Sequence, residues 1–249
     1  VQAKTGLLLD PYFSGSKIGW ALANWPQLAE ASAHLRVGTI ESYLIFRLTG
    51  GAHISDASNA SRTALMAIGS GGWDDGLTGL FGVPRDILPE ITDCAGQLGT
   101  TTPEMFGSSI PITGMAGDQQ AATIGQGCFT IGQTKATFGT GAFVLTQTGT
   151  TLRQSKHRLL STVLYQIAGE RHYALEGSVF VAGSLVQWLR DDLGLIGSAA
   201  ETEPLARSVA DNGGVYLVPA LSGLGAPHWQ PNARGTIAGL SFSAKKAHI

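Results

Sequence analysis

PITGMAGDQQAATIGQG, residues 111–127, reads as a short buried strand that turns directly into a helix, with Asp118 at the junction. A carboxylate there is placed by two rigid elements and directed toward the crevice at the strand's end, where it can accept a proton. Aspartate also caps the free N–H groups of a helix start, and from position alone capping is the commoner role. Both roles stay open on residue type. The strand-to-helix step points to an α/β protein.

Upstream, Ile18, Ala21, Leu22, Trp25 and Leu28 recur on one helical face between Phe13 and about His34, and Pro26 must kink this stretch or start a second helix. GTIESYLIFRLTGG carries Ile40, Leu44, Ile45 and Leu48 on a stripe and stops at Gly50-Gly51, which predicts a helix. Trp73 to Phe81 reads as a third helix, and Pro89 breaks Arg85 to Ile91 into irregular structure. Downstream, Gln133 to Thr148 alternates as two strands joined at FGTGAF, and Leu159 to Leu175 repeats the pattern through AGER. Ser178 to Leu193 has helical spacing, while GVYLVPAL and GTIAGLS are apolar strand candidates. The composition change near Gly127 to Gly132 predicts a boundary, with domains at 1–128 and 129–249.

With 43% hydrophobic and 14% charged residues in 249, the chain has material for a large core. Its net charge of −2 comes from scattered residues of both signs, which speaks against a nucleic-acid or anionic-membrane partner and for a small molecule. Thirty-four glycines are roughly double the average usage of about 7% and suit tight turns and close backbone approaches. Two cysteines, Cys94 and Cys128, signal neither a disulfide framework nor a zinc cluster. No apolar run spans a bilayer and VQAKTGLLLD is no signal peptide, so the expected location is the cytoplasm. The first residue is not methionine and KKAHI follows a strand-like run without a closing element, which reads as a stretch of a longer chain.

Gly139-Thr140-Gly141 joins two strands and could let N–H groups and a hydroxyl approach phosphate oxygens. A tight hairpin uses the same glycines, and from the loop alone that is the commoner case. The familiar phosphate loop with lysine followed by Ser or Thr is absent. Six histidines lie far apart without metal spacing and read as structural or solvated. SGLGAPHW, residues 222–229, either walls a cleft or is a packed turn.

DPYFSGSK, SDASNASRT, GMAGDQQAA, FGTGAF, ALEGSVFVAGSLVQWLRDD and VPALSGLGAPHWQPNARGTIAGL occur in order over nearly the whole chain, and together they resemble the FGGY carbohydrate kinases. The resemblance implies an actin-like ATPase fold of the ribonuclease H-like type, with parts of two domains flanking a cleft that holds polyol and ATP. It is strongest to members that phosphorylate glycerol; a sister kinase for a pentulose or gluconate, or a non-catalytic nucleotide-binding module, are the alternatives. Asp118 matches the family's catalytic base and a substrate-binding position. Gln119 matches a residue that hydrogen-bonds polyol hydroxyls, and Tyr12 and Phe143 match positions on the polar and hydrocarbon sides of glycerol. Gly139, Thr140, Gly141, Gly183 and Gln187 match ATP-contacting positions. Homo-oligomers are compatible with this resemblance.

Ala21 and Ala23 depart from the first family signature, and Ser109 stands where members regulated by a sugar bisphosphate have an arginine, which implies loss of that anion site. The family's phosphate- and Mg2+-holding loop and its Arg-Glu pair for glycerol match nothing here. The implied expectation is that residues 1–249 alone lack appreciable kinase activity.

Overall fold

The computed structural model describes residues 1–31 and 34–249, so the end of the helical stretch expected to reach His34, at Ser32 and Ala33, lies outside the described residues. Pro26 does start a new helix. Ser14–Asn24 ends at Trp25, whose extended backbone is what a residue before proline adopts, and Pro26–Glu30 follows. Ile40–Thr49 stops at Gly50, which takes the left-handed conformation at φ 76° that suits a residue without Cβ.

Four local expectations need correction. Trp73 is not helical: with Gly72 it pairs antiparallel to Met66–Ala67. The helix is Asp75–Phe81, and it cannot begin earlier because Asp74 caps it, accepting from Leu77 N at 2.9 Å. Arg85 to Ile91 holds a short 3-10 turn, Arg85–Ile87, and then the strand Glu90–Thr92, which pairs in parallel with Ile54–Asp56. Pro111–Gly114 is a strand, but it pairs antiparallel with Ala95–Thr100 at an exposed site and is not buried. Ser178 and Val179 belong to the strand Glu170–Val179, so the next helix begins only at Gly183 and ends at Asp191.

The expected hairpins are present: Thr134–Phe138 with Ala142–Gly149, and Leu160–Ile167 with Glu170–Val179. They form one four-stranded sheet in the order first, second, fourth, third. The chain divides into two compact units, one of Val1–Lys135 with Leu145–Glu176 and one of Ala136–Val144 with Gly177–Ile249.

The first unit has its core where the helix Ala57–Ala60 packs beside the strand Leu160–Ile167: Ala57, Ala60, Met66, Ile68, Val163 and Tyr173 are buried together. Each large aliphatic side chain so removed from water contributes about 1.5–3 kcal/mol. Leu65, Val83 and Ile87 make a second cluster, against which Ile18 and Leu22 of the first long helix pack. In the second unit Tyr216–Val218 pairs antiparallel with Thr236–Ala238. There SGLGAPHW is a packed turn: Ala226 N donates to Ser178 O at 2.8 Å, and the buried Trp229 meets Phe180 edge-on at 6.1 Å. No described helix is long and apolar enough to cross a membrane.

Candidate active site

In the first unit the placement of Asp118 starts from another carboxylate, Asp56. Fully buried, it caps the helix Ala57–Ala60 by accepting from Ser58 N at 2.8 Å, and it also accepts from Asn59 Nδ2 at 2.7 Å, the Ser58 hydroxyl and the Cys94 thiol. With Asn59 N at 3.4 Å, five donors surround one carboxylate and make a satisfied and therefore rigid site. Ser58 Oγ in turn accepts from Gly117 N at 2.9 Å. Gly117 is the N-cap of the helix Asp118–Gly125, so the buried aspartate fixes where that helix begins. A Cβ at Gly117 would lie 2.5 Å from Oε1 of Gln120, so a larger residue there would have to displace that side chain. Gln120, buried, donates to Thr162 Oγ1 at 3.1 Å and anchors the first turn from the other side.

Asp118 occupies the first helical position rather than the cap, its carboxylate is exposed, and Oδ1 accepts from Gln119 N at 2.8 Å. The capping expectation is thus met only in this local contact. The carboxylate faces a cavity of about 260 Å³ lined also by Tyr12, Phe13, Asn59, Arg62, Gln119 and Glu176. Three of the sequence-predicted residues, Tyr12, Asp118 and Gln119, therefore share one cavity.

Arg62 and Glu176 line the same cavity and were not singled out from sequence. Arg62 Nη2 donates to Glu176 Oε1 at 2.8 Å, with the carboxylate side chain only 1% exposed. The guanidinium also lies 5.4 Å from the centre of the Phe13 ring, and Phe13 meets Tyr12 edge-on at 5.2 Å. Arg62 Nη1 is buried and has no hydrogen-bond acceptor among the described residues. Burial pushes the Tyr12 phenol up, Arg62 beside it pulls it down, and the charges of Glu176 and Asp118 add to the rise. The phenol therefore stays a neutral hydrogen-bonding group. Lys135, also missed, is buried and donates to Gln119 Oε1 at 2.7 Å. Burial holds its ammonium below the usual lysine range, while Asp118 and Glu176 favour the charged form.

Phe143, Gly139, Thr140, Gly141, Gly183 and Gln187 all belong to the second unit. Phe143 is half-buried on the strand Ala142–Gly149. Neither Gly139 nor Gly141 has a positive φ, so this loop does not use glycine as the tightest hairpins do. Close approach explains two of the glycines instead: a Cβ on Gly141 would lie 2.5 Å from Val179 O, and one on Gly183 the same distance from Gly139 O. The loop is docked on the helix Gly183–Asp191, with Gly183 N donating to Gly139 O at 2.8 Å and Ser184 Oγ to Thr140 O at 2.9 Å. Thr140 and Gln187 remain exposed.

The profile described as "FGGY family of carbohydrate kinases, N-terminal domain" matches residues 1–125, and that of the family's C-terminal domain matches residues 134–249. The chain belongs to the FGGY family of carbohydrate kinases. Its fold is the actin-like ATPase type of that family. Among FGGY relatives, a glycerol kinase of Rhodospirillum rubrum is 57% identical over 245 residues, 97% of this chain and 49% of that protein. The crystal structure of Plasmodium falciparum glycerol kinase with ADP superposes with a TM-score of 0.89 at 39% identity, covering all of this chain and 50% of that one. The xylulose kinase of Rhodospirillum rubrum has a TM-score of 0.82 at 25% identity, over 99% of this chain and 50% of that one. The chain thus spans about half the length of the curated relatives it matches.

Proposed function

We propose that this FGGY chain carries out its share of the ATP-dependent phosphorylation of glycerol to glycerol 3-phosphate. The observation that carries the reading is the convergence of Asp118, Gln119 and Tyr12 on one small polar cavity. Its size suits a three-carbon polyol better than a nucleotide. The sequence likeness favours the same substrate: 57% identity to a glycerol kinase against 25% to the xylulose kinase of the same bacterium.

In this reading residues 1–128 belong to the polyol-binding domain and residues 129–249 to the ATP-binding domain, in the cytoplasm. Asp118, exposed at a rigid helix start, accepts the proton of the attacking hydroxyl and orients its oxygen. That oxygen forms a bond to the γ-phosphorus, the bond from phosphorus to the bridging β,γ-oxygen breaks, and ADP leaves with the electron pair. A weak base suffices, because in a loose transition state the proton leaves late and positioning carries most of the catalysis. Gln119 and Tyr12 hydrogen-bond the polyol's hydroxyls, so molecules that lack those hydroxyls are rejected.

The Gly139-Thr140-Gly141 loop serves the phosphates through its backbone and the Thr140 hydroxyl, with Gly183 and Gln187 further along the nucleotide. Mg2+, bound together with ATP, would supply neutralisation of the charge that develops in phosphoryl transfer. Among the described residues no group of three or more His, Cys, Asp or Glu could hold a metal ion. The test is ATP turnover by the protein carrying these residues, with glycerol, xylulose or gluconate. Glycerol-dependent ADP release supports the reading, and turnover with only a pentulose or gluconate refutes it.

A further inference from the structure

Lysine has three donors and no acceptor, so the atom of the Gln119 amide that meets Lys135 Nζ at 2.7 Å must be the carbonyl oxygen. That contact removes the usual ambiguity in which way a glutamine amide points. Lys135 is 4% exposed and does not line the cavity, whereas Gln119 does. With Oε1 engaged, Nε2 is the end of the amide left for a ligand, and no described group accepts from it.

We infer that Lys135 is a positioning residue that locks the Gln119 amide so that it offers a donor, Nε2, to an oxygen of the bound polyol. The inference rests on the polyol reading of the cavity. Its chemical content is directional. A hydroxyl that meets Gln119 does so as an acceptor and keeps its own hydrogen for a carboxylate, and Asp118, one residue away, is such an acceptor. Without the lysine the amide can turn over and present its oxygen, so a fraction of the protein offers the wrong group to the substrate. A buried lysine also costs desolvation, which the nearby Asp118 and Glu176 offset in part.

The test is a double-mutant cycle of Lys135→Met and Gln119→Ala, read as KM for glycerol and kcat in the protein carrying these residues. Lys135→Met should raise KM about tenfold with a smaller change in kcat. In the Gln119→Ala background the same substitution should leave KM within about twofold, since there is no amide left to orient. Lys135→Arg, which keeps a donor, should restore most of the loss. A merely structural lysine would cost the same in both backgrounds, and that additivity overturns the inference while leaving the polyol reading intact. Absence of any glycerol-dependent turnover would instead remove the polyol reading. A readout independent of turnover is the side-chain amide NMR signal of Gln119, identified by its loss in Gln119→Ala. It should shift in Lys135→Met and return toward its place in Lys135→Arg, and a signal unmoved by Lys135→Met overturns the inference.

Discussion

Arg62 and Glu176, 114 residues apart in sequence, form an ion pair at 2.8 Å inside the cavity that holds Asp118. The carboxylate is almost fully buried, a position where a charge without a counter-charge is costly. Arg62→Met should therefore destabilise the protein by about 3 kcal/mol, and Glu176→Gln by clearly less, because a neutral amide needs no counter-charge. Chemical denaturation checks the order. A loss from Glu176→Gln as large as that from Arg62→Met would mean that the Arg62 charge needs Glu176 as much as the reverse.

Cys94 donates to Asp56 at 3.1 Å, and burial, reinforced by that carboxylate, pushes its thiol up to about 12. The sign follows from linkage. The folded thiol stays protonated where the unfolded one ionises, so its stability contribution is complete below about pH 9 and lost as pH rises from there toward 12. Denaturation midpoints should fall between pH 9 and pH 10, and Cys94→Ala should flatten that slope. At pH 8 the native thiol should resist alkylation until the protein unfolds. A steep alkaline slope retained in Cys94→Ala would assign it to other groups.

Gly183 packs directly on the 139–141 loop, where a Cβ would lie only 2.5 Å from Gly139 O. Gly183→Ala should cost about 1–3 kcal/mol by overpacking and displace the 139–141 loop. If that loop serves the phosphates, KM for ATP rises several-fold while KM for glycerol moves little. An unchanged KM for ATP beside a clear loss of stability would leave the loop a structural hairpin.

The sequence made some of this architecture readable and hid the rest for identifiable reasons. Helices such as Ile40–Thr49 were legible because a capping glycine and an apolar stripe are local signals. The parallel pair Ile54–Asp56 with Glu90–Thr92 was not, since three-residue strands are too short to show alternation and their partners are remote. The apolar residues of Pro111–Gly114 predict a buried strand, whereas a two-stranded exposed pairing with Ala95–Thr100 holds it. Within the candidate site, Tyr12, Asp118 and Gln119 stood in recognisable motifs. Arg62 and Glu176 lie inside SDASNASRT and ALEGSVFVAGSLVQWLRDD but act, like Lys135, through tertiary contacts; Glu176 and Lys135 are also lone charges at inward-facing strand positions, where an unpaired charge is costly.

The central claim is that Asp118 is the base of a glycerol-phosphorylating site, and Asp118→Asn tests it most directly. The side chain is exposed and the hydrogen bond it accepts from Gln119 N can be kept by the asparagine oxygen, so stability should change by no more than about 0.5 kcal/mol. Glycerol-dependent ADP release should fall by at least about a hundredfold, with glycerol still binding. A variant that folds normally and retains more than about a tenth of the parent's kcat would contradict the account.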